Sequence, residues 1–458
     1  MRLSLSVPLV CGIAVAVFAA DRAFTSYASA KPLLDQPGDM LPAGLRNPNA
    51  AKWIAWSQQQ DTAIRARLQQ GDLDSMVNLL LYGNSFTKQP RIRVEAFTEA
   101  SKTGLVRARV DDLVAGLRKP GDNERLIFLN GLLRSQGIDP SSPGETGVFL
   151  YKNLQRVLQE METLSKRSEE AKRLVTPDAD RPDADPDPAA IFNWRPGLLR
   201  DRGVSLDTGI FPNFSIEQAL RDLKNRGVLR EGQVARVAVI GPGLDFSDKN
   251  EQASFDYYPQ QTLQPFALYD SLIRLGLAKS NIVSMSIFDI SPRVIDHIQR
   301  ARERARSKTG YVIQLPREIT PTWPADLLAF WRSLGDRVGA EVAPITPPGF
   351  FKGLEARAVR IRPDVVLRMQ PMDLNIVLER RSLPEADRFD LMVATNIFIY
   401  YDAFERSLAL ENAGAMLKRG GLLLTNDRLP EVPAGSMRLA GVTDVQYNRD
   451  AVGWYRKR

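Results

Sequence analysis

The sequence predicts an α/β fold, a doubly wound and mostly parallel sheet preceded by an all-helical N-terminal domain. Three observations carry that expectation. Val237–Ile240 is a short apolar run, as a strand buried on both faces of a parallel sheet requires, and it breaks at Gly241-Pro242-Gly243. Segments of the same design recur at Ser284–Pro292, ending in the acid Asp289, at Val365–Leu374, ending in Asp373, at Phe389–Asp402 and at Leu417–Thr425. Upstream, from Asn49 to about Leu174, apolar positions recur with the helical period instead.

A chain of 458 residues predicts two or three domains, and 44% hydrophobic with 25% charged residues is ordinary globular composition. The expected division is 1–30 as a leader or anchor, 31–175 as the helical domain, 176–190 as a linker and 191–458 as the α/β domain. Insertions are expected at 247–262 and 309–362. The formal charge of +7 is spread over the whole length, so nucleic acid is not expected as a partner.

Val7–Ala20 is an apolar run behind Arg2, too short to span a membrane comfortably and suited to a secretory signal peptide or N-terminal anchor. Small-residue cleavage sites follow Ala19 and Ala30. The body is therefore expected to be exported or membrane-anchored, with residues 7–20 as the point of membrane contact. The alternative is a buried N-terminal helix and a cytoplasmic protein. Cys11, the only cysteine, lies inside this run, and His297 is the only histidine. A mature chain would have neither disulfide nor thiolate chemistry, and no metal is expected.

In the helical stretch, Trp53, Ile54 and Trp56 open an apolar set continued by Ile64 and Leu68, with Gly71 as a helix stop before Met76–Leu81. The tryptophans read as core anchors. Leu150, Leu154, Val157, Leu158, Met161 and Leu164 make one face of a long helix. Pro177–Pro188 alternates aspartate with proline and alanine and reads as an extended linker, since proline blocks pairing and like charges repel. Ser215-Ile-Glu-Gln218 reads as a capping box opening a helix that buries Ile216, Leu220 and Leu223 and stops at Gly227.

Between Phe246 and Leu263 lies an extra loop carrying Tyr257 and Tyr258, which are candidate substrate or lid residues, and the next helix is displaced to about Pro265–Leu275. The loop carries Asp289 far beyond the roughly twenty residues that separate glycine turn and acid in a simple βαβ unit. Ile295–Lys308 is a helix whose arginines fall two apart, so they do not line one face and read as a solvated surface. Thr309–Arg362 reads as an insertion with a helix at Ala325–Leu334. Substrate selectivity is expected there or in the tyrosine loop.

The ordered set of strands and acids resembles the class I S-adenosylmethionine-dependent methyltransferases, whose fold is Rossmann-like, over roughly Val234 to Asp427. Phe389–Asp402 is most similar to the branch containing the bacterial chemoreceptor methyltransferases. The resemblance implies S-adenosylmethionine as cofactor and a methyl acceptor that is a protein side chain or a small molecule, a carboxylate if the chemoreceptor branch is followed. It implies that Gly241, Pro242 and Gly243 pass close to the cofactor's amino-acid moiety. Asp245, standing where the family often has a third glycine, would reach the cofactor ammonium. Asp289, beside Ile290, would clasp the two ribose hydroxyls, and Asp373, beside Leu374, would accept from the adenine amine. Asn396 would lie nearest the transferred methyl, and Asn396 and Tyr400 are the candidate catalytic residues.

Each acid also reads as a helix N-cap, Asp289 because Ser291-Pro292 follows it. Tyr400, Tyr401 and Asp402 read equally well as the cap and packing of the next helix. S-adenosylmethionine is made in the cytosol, which pulls against export. Two other functions stay open: a non-catalytic binding or scaffold protein that keeps the fold, and an NAD(P)-linked oxidoreductase. The latter is disfavoured by Phe246, where a dinucleotide fingerprint wants glycine.

Overall fold

The computed structural model describes residues 22–458 except 36–40, 93–98, 176–202, 206–207, 247–255, 280, 282, 321, 434 and 446–449. The apolar run at 7–20, the linker at 176–190 and the first part of the 247–262 insertion lie outside the described residues.

In chain order the elements begin with β1 (Arg22–Phe24), α1 (Tyr27–Leu34), α2 (Ala50–Tyr82), α3 (Glu99–Arg118), α4 (Glu124–Ser135), α5 (Pro143–Val175) and α6 (Ile210–Asn225). Next come β2 (Arg236–Ile240), α7 (Gln264–Arg274), β3 (Ser284–Asp289), α8 (Pro292–Arg306), β4 (Tyr311–Glu318), α9 (Ala325–Ser333), β5 (Gly339–Val342) and β6 (Leu354–Ile361). The chain ends with α10 (Pro363–Arg368), β7 (Met369–Asp373), β8 (Glu379–Arg381), β9 (Phe389–Ala394), α11 (Ala403–Met416), β10 (Leu417–Thr425), β11 (Met437–Val445) and β12 (Asp450–Lys457).

A seven-stranded mixed sheet in the order β11-β12-β10-β9-β2-β3-β7 organises the molecule. From β10 to β7 every pairing is parallel, and β12 and β11 add an antiparallel edge, the Rossmann-like arrangement expected. Val237 lies between Leu391 and Met285 in register. Alternate residues of β2 enter opposite cores, Val237 and Val239 with α6–α8, and Ala238 and Ile240 with α1, α11 and the first half of α2.

The segment 22–30, which the sequence assigns to a leader or anchor, packs on the folded body. β1 pairs antiparallel with β8, Thr25 Oγ1 donates to Asn412 Oδ1 at 2.6 Å, and Trp53 Nε1 donates to Thr25 O at 2.7 Å. Cleavage after Ala30 would remove all of this, whereas cleavage after Ala19 would leave it whole. Among the described residues no helix is long and apolar enough to cross a membrane.

Within 50–175 the helices α2 to α5 are joined by turns and loops, and α2 is shared between two cores. Trp53 and Ile64 pack under the sheet, while Met76 to Leu81 join α3–α5. Ile54, expected inside, is 56% exposed. Gly71 does not stop α2, which runs through it. A Cβ at Gly71 would lie 1.8 Å from the Val204 carbonyl oxygen, so the glycine serves close backbone approach. Gly71→Ala should therefore push residues 203–204 off the helix. A loss of about 1–3 kcal/mol in denaturant unfolding is expected, as for other overpacked sites.

Two further expectations change. α6 starts at Ile210, so Ser215 lies within the helix and caps nothing, and Glu217 is buried against Arg274 and Ser271. Val365–Leu374 is not a continuous strand. Pro363, with its φ already helical, opens α10, which buries Val365 and Val366, and only Met369–Asp373 extends. The 309–362 insertion forms an antiparallel sheet, β4-β6-β5, with α9 packed in the same core.

Candidate ligand-binding cleft

Where β2, β3 and β9 end, the chain turns sharply and leaves a cleft with an empty volume of about 690 Å³, partly open to solvent. Gly241 has φ +60°, donates its N–H to Phe288 O at 2.7 Å, and would place a Cβ 2.2 Å from Ile397 Cδ1. Only glycine fits that turn. Asn396, ending β9, also has positive φ, at +57°. Asn426 holds it there, accepting the Asn396 N–H at 2.8 Å and donating to its Oδ1 at 3.0 Å. Such strain at the edge of a cleft marks a functional position.

Ile240 and Phe288 form the floor, and Ile290, Leu374 and Ile376 line one side. Thr395, Asn396, Ile397, Tyr400 and Tyr401 line the other. Val204, Ser205 and Thr208 cover it, held to α2 through Val204 N–H donating to Arg67 O at 3.1 Å.

Among the described residues Asp289 is the cleft's single charged lining residue. It is 5% exposed, and its Oδ1 accepts the Ser291 N–H at 2.8 Å. Burial pushes its pKa up to about 7; backbone donors at Ser291 and Ile290 pull the other way, and nearby Asp373 adds to the rise. The N-cap of α8 is Ser291, so Asp289 shapes the turn before the helix rather than capping it.

Gly241, Gly243, Asp289, Ile290, Leu374, Asn396 and Tyr400 thus meet around one cavity. Pro242, Asp245, Asp373, Tyr257 and Tyr258 are not among its lining. Asp373 turns outward, with Oδ1 2.9 Å from Arg65 Nη2 and Oδ2 3.3 Å from Arg22 Nη1. Two guanidiniums outcompete a neutral amine for that carboxylate. Asp245 faces a second cavity, where Tyr258 Oη donates to its Oδ2 at 2.6 Å and Gln261 Nε2 at 3.0 Å. Burial raises its pKa. Tyr257 lies further out, its phenol pushed up to about 12 by burial.

Asp402 caps α11, accepting the Glu405 N–H at 2.9 Å while Glu405 accepts the Asp402 N–H at 2.8 Å. Sequence reasoning missed Val204, Ser205, Thr208, Thr395 and Ile376. Gly71 and Gly203 were the available signal for the cover, since a Cβ on Gly203 would lie 2.3 Å from Gly71 N. Among the described residues no group of three or more His, Cys, Asp or Glu is placed to hold a metal ion.

No protein-family model matches the chain, and no curated protein matches it in sequence. Solved structures similar to it include TrmN from Thermus thermophilus, at 11% identity and a TM-score of 0.25. That match covers 54% of this chain and 52% of TrmN, so the chain spans about half the length of that relative. The N-methyltransferase NodS from Bradyrhizobium japonicum WM9, in complex with S-adenosyl-l-homocysteine, is 14% identical with a TM-score of 0.27, over 57% of this chain and 94% of NodS. MtNAS, in complex with MTA and tNA, is 10% identical with a TM-score of 0.25, over 88% and 98%. Likeness at this level assigns no activity, which has to come from the cleft itself.

Proposed function

We propose that the chain binds S-adenosylmethionine in this cleft and transfers its methyl group to an acceptor. One observation carries the reading: among the described residues the lining holds a single buried carboxylate, Asp289, beside a glycine turn, and no lysine, arginine or histidine. A buried acid with a raised pKa and no facing cation suits a ligand that brings hydroxyl donors and a positive charge. S-adenosylmethionine supplies both, as a vicinal diol and a methyl-bearing sulfonium.

The chain's own residues have limited work to do, because the transferred carbon is already activated and catalysis is chiefly positioning. Asp289 would accept from the two hydroxyls, Gly241 and Gly243 would let the ligand approach the backbone, and Ile290, Leu374 and Ile376 would bury a flat base. Tyr400 and Tyr401 present aromatic surface to a cation. Asn396, locked by Asn426, would orient the reacting centre, and Val204, Ser205 and Thr208 would exclude water.

The same lining disfavours a dinucleotide, whose pyrophosphate would meet Asp289 and, among the described lining residues, no cation. Isothermal titration with S-adenosylhomocysteine and with NAD separates the readings. Saturable binding of the first at micromolar concentration and none of the second is expected. Binding of NAD alone would replace this proposal with an oxidoreductase. Binding of neither would leave a protein that keeps the fold without the cofactor.

A further inference from the structure

Three cavities adjoin in series. Thr208 lines both the proposed donor cleft and the Asp245 cavity, whose empty volume is about 350 Å³. Tyr258 lines both that cavity and a wide groove between the helical region and the β4-β6-β5 insertion. The three thus share walls at Thr208 and Tyr258, and a path from the groove to the donor cleft would run past Tyr258, Asp245 and Thr208.

The charge along this route is opposite to that of the molecule as a whole. Asp112, Asp122, Glu124 and Asp256 line the outer groove with the aromatic rings of Tyr257 and Phe350, on a chain of net charge +7. Among the described residues Lys88 and Arg125 are the cations lining it, and Arg125 donates to the backbone carbonyls of Phe246, Tyr258 and Asp245. Asp256 is 3% exposed, and its Oδ1 accepts the N–H groups of Asn84 and Ser85. Its Oδ2 has no hydrogen-bond partner among the described residues and lies 3.9 Å from Arg125 Nε. Ser85 Oγ, on the same groove, is buried without a hydrogen-bond partner there too. A buried carboxylate oxygen that has an ion pair at 3.9 Å but no hydrogen bond costs free energy that a ligand donor would recover. Carboxylates together with aromatic faces recognise organic cations.

We propose that this route is the acceptor site and that the acceptor is a small aliphatic amine, drawn in past Asp256 and held by the Asp245 carboxylate. The word acceptor rests on the methyl-transfer reading above; the amine site itself does not. In the transfer, the nitrogen lone pair forms the new N–C bond while the S–C bond breaks and its electron pair stays on sulfur. The proton that the ammonium gives up to free that lone pair passes to Asp245. A carboxylate acceptor, which the chemoreceptor branch implies, would meet like charge along the whole route.

The test is calorimetric binding of 1,4-diaminobutane to the full chain, with and without S-adenosylhomocysteine, against butan-1-ol as the neutral control. Saturable binding of the diamine and none of the alcohol is expected. Asp245→Asn should weaken the diamine at least tenfold and leave S-adenosylhomocysteine unchanged. Tyr258→Phe frees a lone pair on Asp245 and should hold or raise diamine affinity, and it decides the matter if Asp245→Asn fails to fold by thermal melting. No diamine binding, equal binding by alcohol, full affinity in Asp245→Asn or a tenfold fall in Tyr258→Phe would each overturn the site. Diamine binding with no S-adenosylhomocysteine binding would instead remove the methyl-donor reading and leave the amine site standing.

Discussion

Asp289→Asn is expected to lower affinity for S-adenosylhomocysteine about ten- to a hundred-fold, because a hydrogen bond to a charged group is worth roughly 1.5–3 kcal/mol. Asparagine can still accept the Ser291 N–H that Asp289 accepts at 2.8 Å, so the turn into α8 should survive and stability should hold. The wild-type pH profile follows from the raised pKa of about 7. Hydroxyl donors favour the ionised carboxylate, so ligand binding releases a proton. Affinity should rise with pH through the range around 7 and level off above it. In the variant that rise should vanish. For the unliganded fold the sign reverses. A carboxyl buried with a raised pKa makes no electrostatic demand below its unfolded pKa near 4, and it costs stability as pH climbs from there toward 7. Unchanged affinity in Asp289→Asn, or a pH profile identical to wild type, would remove Asp289 from the site.

Arg125→Met is expected to cost the most stability of any single change considered, about 3–5 kcal/mol, the range for breaking a buried charge network. Arg125, in the first turn of α4, is 2% exposed, with Nε donating to Phe246 O at 2.5 Å, Nη2 to Asp245 O at 3.0 Å and Nη1 to Tyr258 O. Methionine fills much of the volume and supplies none of these donors. Three carbonyls and the Asp256 carboxylate would be left facing apolar surface. Urea unfolding monitored by tryptophan fluorescence measures it, and a loss under about 1 kcal/mol would mean that the helices and the loops after β2 are not joined through this side chain.

The strands that flank the cleft were legible because parallel strands buried on both faces write themselves as apolar runs, and β2, β3, β9 and β10 all do. Gly241 and Asp289 were legible because a glycine turn and an acid at strand ends are local features. The miss at Val365 is also local: Pro363 favoured a helical turn over an extended start. Asp373 and Asp245 failed for a different reason. Their side chains answer to partners far away in sequence, Arg22 and Arg65 for the first and Tyr258 and Gln261 for the second. No reading of a strand end alone shows which donor will claim its acid. The cover residues Val204, Ser205 and Thr208 carry almost no pattern of their own, and the paired glycines Gly71 and Gly203 let the chain at 203–204 lie on α2.

The pairing of β1 with β8 has a consequence for how the chain comes to be made. Arg22, Ala23 and Phe24 have their ladder partners at Arg381, Arg380 and Glu379, and Thr25 Oγ1 donates to the Asn412 side chain. A ribosome delivers these groups first and their partners among the last. Contacts so distant along the chain close slowly, because the loop entropy must be met before they contribute anything. Until residues 379–412 have been made, β1 is an unclosed edge and the contacts that tie it to β8 and α11 cannot form. Closure of this edge is thus a late event in synthesis, which leaves an interval in which the nascent chain stays slack enough to be threaded, held by a chaperone or cut.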